Sequence, residues 1–285
     1  GAGGAGPGGL LTEDDVRRAR EGFTEPMGSG AAGPVGSGPT EAAGAATRVP
    51  HSDWRRATAE KMGQAARTVA PVTLHRKIGV ERAAAILRDP KARAARLGLV
   101  DLVVAAVAGA LATHPDLNAS FTQEALIRHR EVNIGVALAL PEGLVVPVVR
   151  GASDLGPDEL ARRRRALWER ARAGRLGPDD VSGGTFTVTN LGPFGVETFT
   201  PIINLPEVAV LGLGRMEEQP VARDGQVKTE RLLPLSLTFD HRAMDGGPAA
   251  AFLDDVASRL TDPPAAWIPG ATAEPVAAPR STASA

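Results

Sequence analysis

The stretch from Leu99 to Thr113 is apolar on every side, with Asp101 as its only charge. At helical pitch it would reach about 22 Å, short of the ~30 Å hydrocarbon core of a bilayer. A helix without a polar face has to be enclosed by other elements. That requires a layered domain large enough to surround it. The 285-residue chain, 43% apolar and 23% charged, has the material for such a core.

The surroundings of this helix read as a mixture of helices and strands. Helices are expected over Ser52–Thr68, Glu81–Leu97, Asp158–Ala173 and Pro248–Leu260. Short strands are expected over Val72–Val80, Ala119–Thr122, Ala125–His129, Asn133–Leu140, Leu144–Val149, Thr185–Thr189, Val208–Leu213 and Leu232–Phe239. Because strands and helices do not alternate strictly, the reading is an α/β domain with a mixed sheet rather than a doubly wound parallel one. Gly22–Thr47 is Gly, Ala, Pro and Ser with almost no large apolar residue, a linker composition. Before it, residues 1–21 hold one short helix signal from Thr12, too little to bury a core alone. The chain therefore divides into an island at 1–21, a flexible linker at 22–47, a folded domain at 48–268 and a Pro- and Ala-rich disordered tail at 269–285. It opens on Gly1, as a fragment or processed product would, so a segment upstream is expected.

Several classes of function lose support. A net charge of -1 provides no basic field for nucleic acid or an anionic membrane. The absence of Cys removes disulfides, thiolate metal sites and a cysteine nucleophile. A soluble, cytoplasmic protein without a metal is the expectation. Gly1, Gly3 and Gly6 match the spacing of a dinucleotide loop, but no strand precedes them. His51, His75, His114 and His129 are scattered through caps, strands and turns and read as ordinary structural histidines.

His241 is different. The alternating strand Leu235-Ser236-Leu237-Thr238-Phe239 runs into Asp240-His241-Arg242-Ala243-Met244-Asp245-Gly246-Gly247 and then into a helix. A histidine on a tight connection between two rigid elements is held in place yet can face a cavity, which suits a general base. Upstream, Gly183-Gly184-Thr185-Phe186-Thr187-Val188-Thr189-Asn190-Leu191-Gly192 places Thr185, Thr187 and Thr189 on one strand face and Phe186 and Val188 on the other.

With Pro201-Ile202-Ile203-Asn204 between them, these two segments resemble the catalytic domain of the dihydrolipoamide acyltransferases of 2-oxo acid dehydrogenase complexes. His114-Pro115-Asp116-Leu117-Asn118, Val132-Asn133-Ile134-Gly135 and Gly143-Leu144-Val145-Val146-Pro147 extend the resemblance from Arg48 to about Trp267. It implies a chloramphenicol-acetyltransferase-like two-layer fold and a homotrimer that builds a cubic or icosahedral core. It also implies interfacial sites that take coenzyme A as substrate from one side and the lipoyl arm from the other. Carried onto this chain, His241 is the base and Thr189 the oxyanion donor. Asp245 is a structural residue of the catalytic loop, paired with Arg55 or, as a second choice, Arg56. The partners implied are the 2-oxo acid decarboxylase and dihydrolipoamide dehydrogenase components, with acetyl as the first choice of acyl group.

Residues 6–16 resemble the last half of the family's peripheral subunit-binding domain. Lys61, Lys77, Lys91 and Lys228 all fall inside the catalytic region, so the lipoyl group is expected from a domain this chain does not contain. The cluster Arg162-Arg163-Arg164-Arg165 reads as a solvated helix face, with a role in holding CoA phosphates as the alternative. Two rival readings remain: an inactive structural core, and a free-standing acetyltransferase of the same fold, which would usually carry a second histidine where Asp240 stands.

Overall fold

The computed structural model describes residues 47–141, 143–223 and 225–267. The island, most of the linker and the tail expected from sequence lie outside these residues. Among the described residues, those from His51 to Trp267 form one compact unit. Its helices are α1 (Asp53–Thr68), α2 (Glu81–Arg88), α3 (Pro90–Ala94), α4 (Leu99–Leu111), α5 (Pro157–Arg172) and α6 (Gly246–Thr261). Its strands are β1 (Pro71–Gly79), β2 (Ala119–Phe121), β3 (Leu126–Arg128), β4 (Ile134–Val136), β5 (Leu138–Leu140), β6 (Gly143–Val145), β7 (Val148–Val149), β8 (Phe186–Asn190), β9 (Ala209–Leu213), β10 (Glu217–Arg223) and β11 (Gln226–Asp240).

The main sheet runs β1-β11-β9-β8-β4-β7, with β10 paired to β11. The β9–β8 and β8–β4 pairs are parallel and the others antiparallel, so the sheet is mixed as expected. One face is apolar. Phe186, Val188, Leu211, Leu213, Leu235, Leu237 and Phe239 point into a core shared with α4 and α6. Phe186 meets Phe252 of α6 with ring centroids 5.6 Å apart. Helix α4 is buried nearly all round, as its composition requires.

The opposite face is polar yet also buried. Ser236 and Thr238 have no exposed surface, and Thr187 has almost none. Across this face Thr73 hydrogen-bonds Thr238 (2.8 Å) and His75 Nδ1 bonds Ser236 Oγ (2.9 Å), so the hydroxyls are satisfied between strands. The 191–208 segment crosses over it to connect β8 to the parallel strand β9, which no tight turn can do. Its passage is close enough to demand glycine beneath. A Cβ on Gly212 would lie 2.7 Å from the Phe199 ring, and one on Gly214 would overlap the Glu197 carbonyl.

Four sequence expectations need correcting. The helix expected over Glu81–Leu97 is broken at Asp89, because Pro90 has no N–H to continue it and drives the preceding residue into extended backbone (φ -59°, ψ 135°). Asp89 then caps the next helix by accepting from the Lys91 N–H (2.8 Å). The runs Asn133–Leu140 and Leu144–Val149 each divide between the main sheet and the separate β5–β6 hairpin. The strand expected from Leu232 begins instead at Gln226, where β11 pairs with β10. The β10–β11 ribbon is mostly solvated and lacks the apolar alternation by which strands are read.

The arginine cluster is only partly a solvated face. Arg164 makes a two-point ion pair with buried Asp101 (2.6 and 3.0 Å) and lies over the Trp168 ring. Arg165 donates to the Ala95 and Arg96 carbonyls at the end of α3. Arg162 and Arg163 bind Glu159, whose carboxyl their hydrogen bonds hold well below the usual range.

Candidate active site

Strand β11 ends at Asp240, and the chain turns tightly into α6. The Ala243 and Met244 N–H groups both donate to the Asp240 carbonyl (2.9 and 3.3 Å), and Asp245 occupies the N-cap position of α6. His241 stands at the start of this turn. Its N–H donates to the Ala70 carbonyl (2.8 Å), and its ring packs near Phe239 at 5.7 Å between centroids. The side chain is 46% exposed, so the imidazole is anchored from behind and open in front.

Asp245 is placed otherwise than the resemblance implied. Its carboxylate is 90% exposed, and its ionic neighbour is His241, with Oδ1 3.9 Å from Nδ1. Arg55 lies in the first turn of α1, exposed, its N–H donating to Ser52 Oγ (3.2 Å). Among the described residues no ion pair joins it to Asp245. The buried pair expected to hold the loop is therefore not made within the single chain.

Another pair holds it instead. The Asp240 carboxylate is 2% exposed overall and accepts from Arg242 through Nε (3.0 and 3.1 Å) and Nη2 (2.6 Å), from the Arg242 N–H (3.1 Å) and from the Ala70 N–H (3.3 Å). Burial alone would raise its pKa, but these hydrogen bonds outweigh burial and hold it below the ordinary carboxylate range. The Arg242 guanidinium in turn lies 4.6 Å from the centroid of Phe121 in β2. The sequence signal was Asp240 itself, an acid continuing the polar face of Ser236 and Thr238.

Thr189 lies elsewhere. It pairs with Gly212, which pairs with Ser236, which pairs with His75, forming one row across the sheet. His241 is five residues past Ser236. That puts it roughly 15 Å along the strand direction from the row and two strand spacings, about 10 Å, from β8. Thr189 borders a largely apolar cavity of about 320 Å³ with Leu138, Leu144, Trp168, Val188 and Phe194. Among the described residues Arg172 is the one basic side chain on its wall. Among the described residues none hydrogen-bonds the Thr189 hydroxyl.

A buried acid that sequence reasoning missed sits where the crossing segment meets β9. Glu207 is 3% exposed, and Oε1 accepts from Asn204 Nδ2 (2.9 Å), which also reaches Thr187 Oγ1 (3.3 Å). Burial pushes its carboxyl up to about 7 against the lowering effects of Thr187, Asn204 and Lys61. No composition or spacing marks it in advance. Among the described residues no group of three His, Asp or Glu side chains could hold a metal ion, and no helix is long and apolar enough to cross a membrane.

A mixed-sheet domain that ends its longest strand in an Asp-His-Arg loop defines the class. The family model for the 2-oxoacid dehydrogenases acyltransferase catalytic domain matches residues 43–268, and the chain belongs to this family. Among its relatives is the dihydrolipoyllysine-residue acetyltransferase component of the acetoin cleaving system of Bacillus subtilis (strain 168). The two are 38% identical over 267 residues, 92% of this chain and 65% of that protein. The succinyltransferase component of the 2-oxoglutarate dehydrogenase complex of Haemophilus influenzae is 33% identical over 91% of this chain and 66% of its own length. The chain thus spans about two thirds of these relatives. Among solved structures, the dihydrolipoamide acetyltransferase of Azotobacter vinelandii superimposes with a TM-score of 0.75 at 35% identity, covering 79% of this chain and 96% of that one.

Proposed function

We propose that this domain transfers an acyl group between the sulfur of a dihydrolipoyl arm and coenzyme A. The observation that carries the reading is the half-exposed His241 ring at the end of β11, in a domain that matches the acyltransferase family along its whole length. His241 takes the proton from the thiol of CoA, since a thiolate rather than a thiol is the effective nucleophile. The thiolate attacks the thioester carbonyl of the acylated lipoyl arm, and the oxyanion accepts a hydrogen bond from Thr189. Collapse of the tetrahedral intermediate breaks the bond to the lipoyl sulfur, which recovers the proton from His241. No redox change and no metal are needed.

A base and an oxyanion donor must both lie about 3 Å from the reacting atoms. Within one copy His241 and Thr189 are far too distant for that, so the site is assembled from two copies, the histidine from one and the threonine from its neighbour. Spacing supports the assignment. The Azotobacter vinelandii enzyme was investigated for the roles of a serine, a histidine and an asparagine in its catalytic mechanism, the serine 52 residues before the histidine and the asparagine 4 after it. Thr189 lies 52 residues before His241, and Asp245 lies 4 after it.

The copies form a trimer within a larger core, as the cubic core of a pyruvate dehydrogenase multienzyme complex, matched at a TM-score of 0.75 and 35% identity, supports. The acyl group is acetyl, from a pyruvate- or acetoin-type complex, in keeping with the acetoin-system relative. The apolar wall around Thr189 suits a short uncharged acyl group. The 2-oxo acid decarboxylase and dihydrolipoamide dehydrogenase are the partners in that complex, and the lipoyl arm comes from a domain outside residues 1–285. Acetyl-, isobutyryl- and succinyl-CoA assayed with free dihydrolipoamide test this, with His241→Ala as the blank. Transfer from acetyl-CoA that vanishes in His241→Ala is expected; full activity in that variant would sink the proposal.

A further inference from the structure

We propose that Asp240 and Arg242 act together as positioning residues for His241, clamping the backbone on both sides of the histidine to Ala70. The inference rests on the reading of His241 as the base. Ala70 is held twice, its carbonyl by the His241 N–H (2.8 Å) and its own N–H by Asp240 Oδ1 (3.3 Å). The same Oδ1 accepts from the Arg242 N–H (3.1 Å). One carboxylate therefore joins the residues before and after His241 to the junction between α1 and β1.

Arg242 completes the clamp. Its planar fork meets both carboxylate oxygens, a geometry that Lys cannot reproduce. Its other side rests on Phe121, which ties the loop to the β2–β3 hairpin. Asp240 is almost inaccessible and Arg242 is 38% exposed, so neither needs to touch a substrate for this role. Asp245, by contrast, is too exposed in the single chain to fix the loop.

The test is steady-state acyl transfer by the assembled protein. In Arg242→Ala, kcat is expected to fall by up to about 10²-fold, the scale of a displacement of order 1 Å. The KM values should stay within about twofold, and added guanidinium ions should restore part of the rate. Arg242→Lys should keep the charge and still lose most of the rate. Asp240→Asn should lose kcat in the same way. Should Asp240→Asn fail to assemble, the Arg242 variants decide, since their side chain is not buried. A parent-like kcat in Arg242→Ala, or a loss that guanidinium leaves untouched, overturns the clamp. Failure of the base assignment is separate, because it appears as activity in His241→Ala.

Discussion

Thr189 and Ser236 stand level in one cross-strand row through Gly212, while His241 follows the end of the Ser236 strand, five residues beyond that row. The residues proposed as oxyanion donor and base are thus held apart by one sheet. The proposed two-copy site draws the histidine from one copy and the threonine from its neighbour.

Mixing two inactive variants tests this arrangement directly. His241→Ala and Thr189→Val subunits, co-assembled at equal ratio, should regain activity at about a quarter of the interfaces by random assortment in a closed ring. Turnover of the mixture, set against each variant alone, is the measurement. No recovery in mixtures shown by native mass spectrometry to contain both subunits would place the two residues in unrelated sites.

Removing the Thr189 hydroxyl should act on the transition state. Thr189→Val is expected to lower kcat by about 10²–10³ with little change in KM, the cost of one lost oxyanion donor. Thr189→Ser should retain most of the rate. A rise in KM with kcat preserved would instead make Thr189 a contact for bound substrate.

Glu207 predicts a pH dependence of stability. Its folded pKa, about 7, lies above its ordinary value of 4.5, so between these the folded state binds more protons than the unfolded state. Stability is then fullest below about pH 4.5 for this group and is lost as pH rises through 7, to the extent of about 3 kcal/mol. Glu207→Gln keeps the neutral hydrogen-bonding shape and should be more stable than the parent at pH 8, with a flatter profile. Urea unfolding at pH 5 and pH 8 reads this out, and an unchanged pH slope in the variant would contradict it.

The ion pair of Asp101 with Arg164 is nearly enclosed, at 1% and 11% side-chain exposure. Arg164→Met leaves Asp101 as an unpaired buried charge and should cost about 3–5 kcal/mol, whereas changing Asp101 to Leu in the same chain should recover most of it. Thermal or denaturant unfolding of the single and double variants gives the comparison.

The placement of His241 between a strand and a helix was legible from sequence because an alternating apolar strand, a pair of glycines and an apolar-faced helix bracket it, and each of these is a local signal. The buried α4 and the two faces of β8 were legible for the same reason. What holds the loop was not. The Asp240 contacts reach Ala70, 170 positions away, and only the pairing of β1 with β11 brings them together. The anticipated Arg55–Asp245 pair is not made within one copy, because a motif conveys which residues occur and not which surface each faces. Glu207 was invisible because its burial depends on a long segment crossing the polar face. The β10–β11 ribbon was partly missed because solvated strands have no apolar period to detect.

Strand β11 also limits how this protein can vary in length. Leu233, Leu235, Leu237 and Phe239 join the core on one side, while Ser236, Thr238 and Asp240 belong to the other. Inserting or deleting a single residue within that run would turn the whole leucine series toward the hydroxyl row and swing His241 to the wrong side of the sheet. The histidine's position is in effect counted off in steps of two from the core outward. Length changes can be absorbed only at the far end, where the turn at Gly225 opens into solvent.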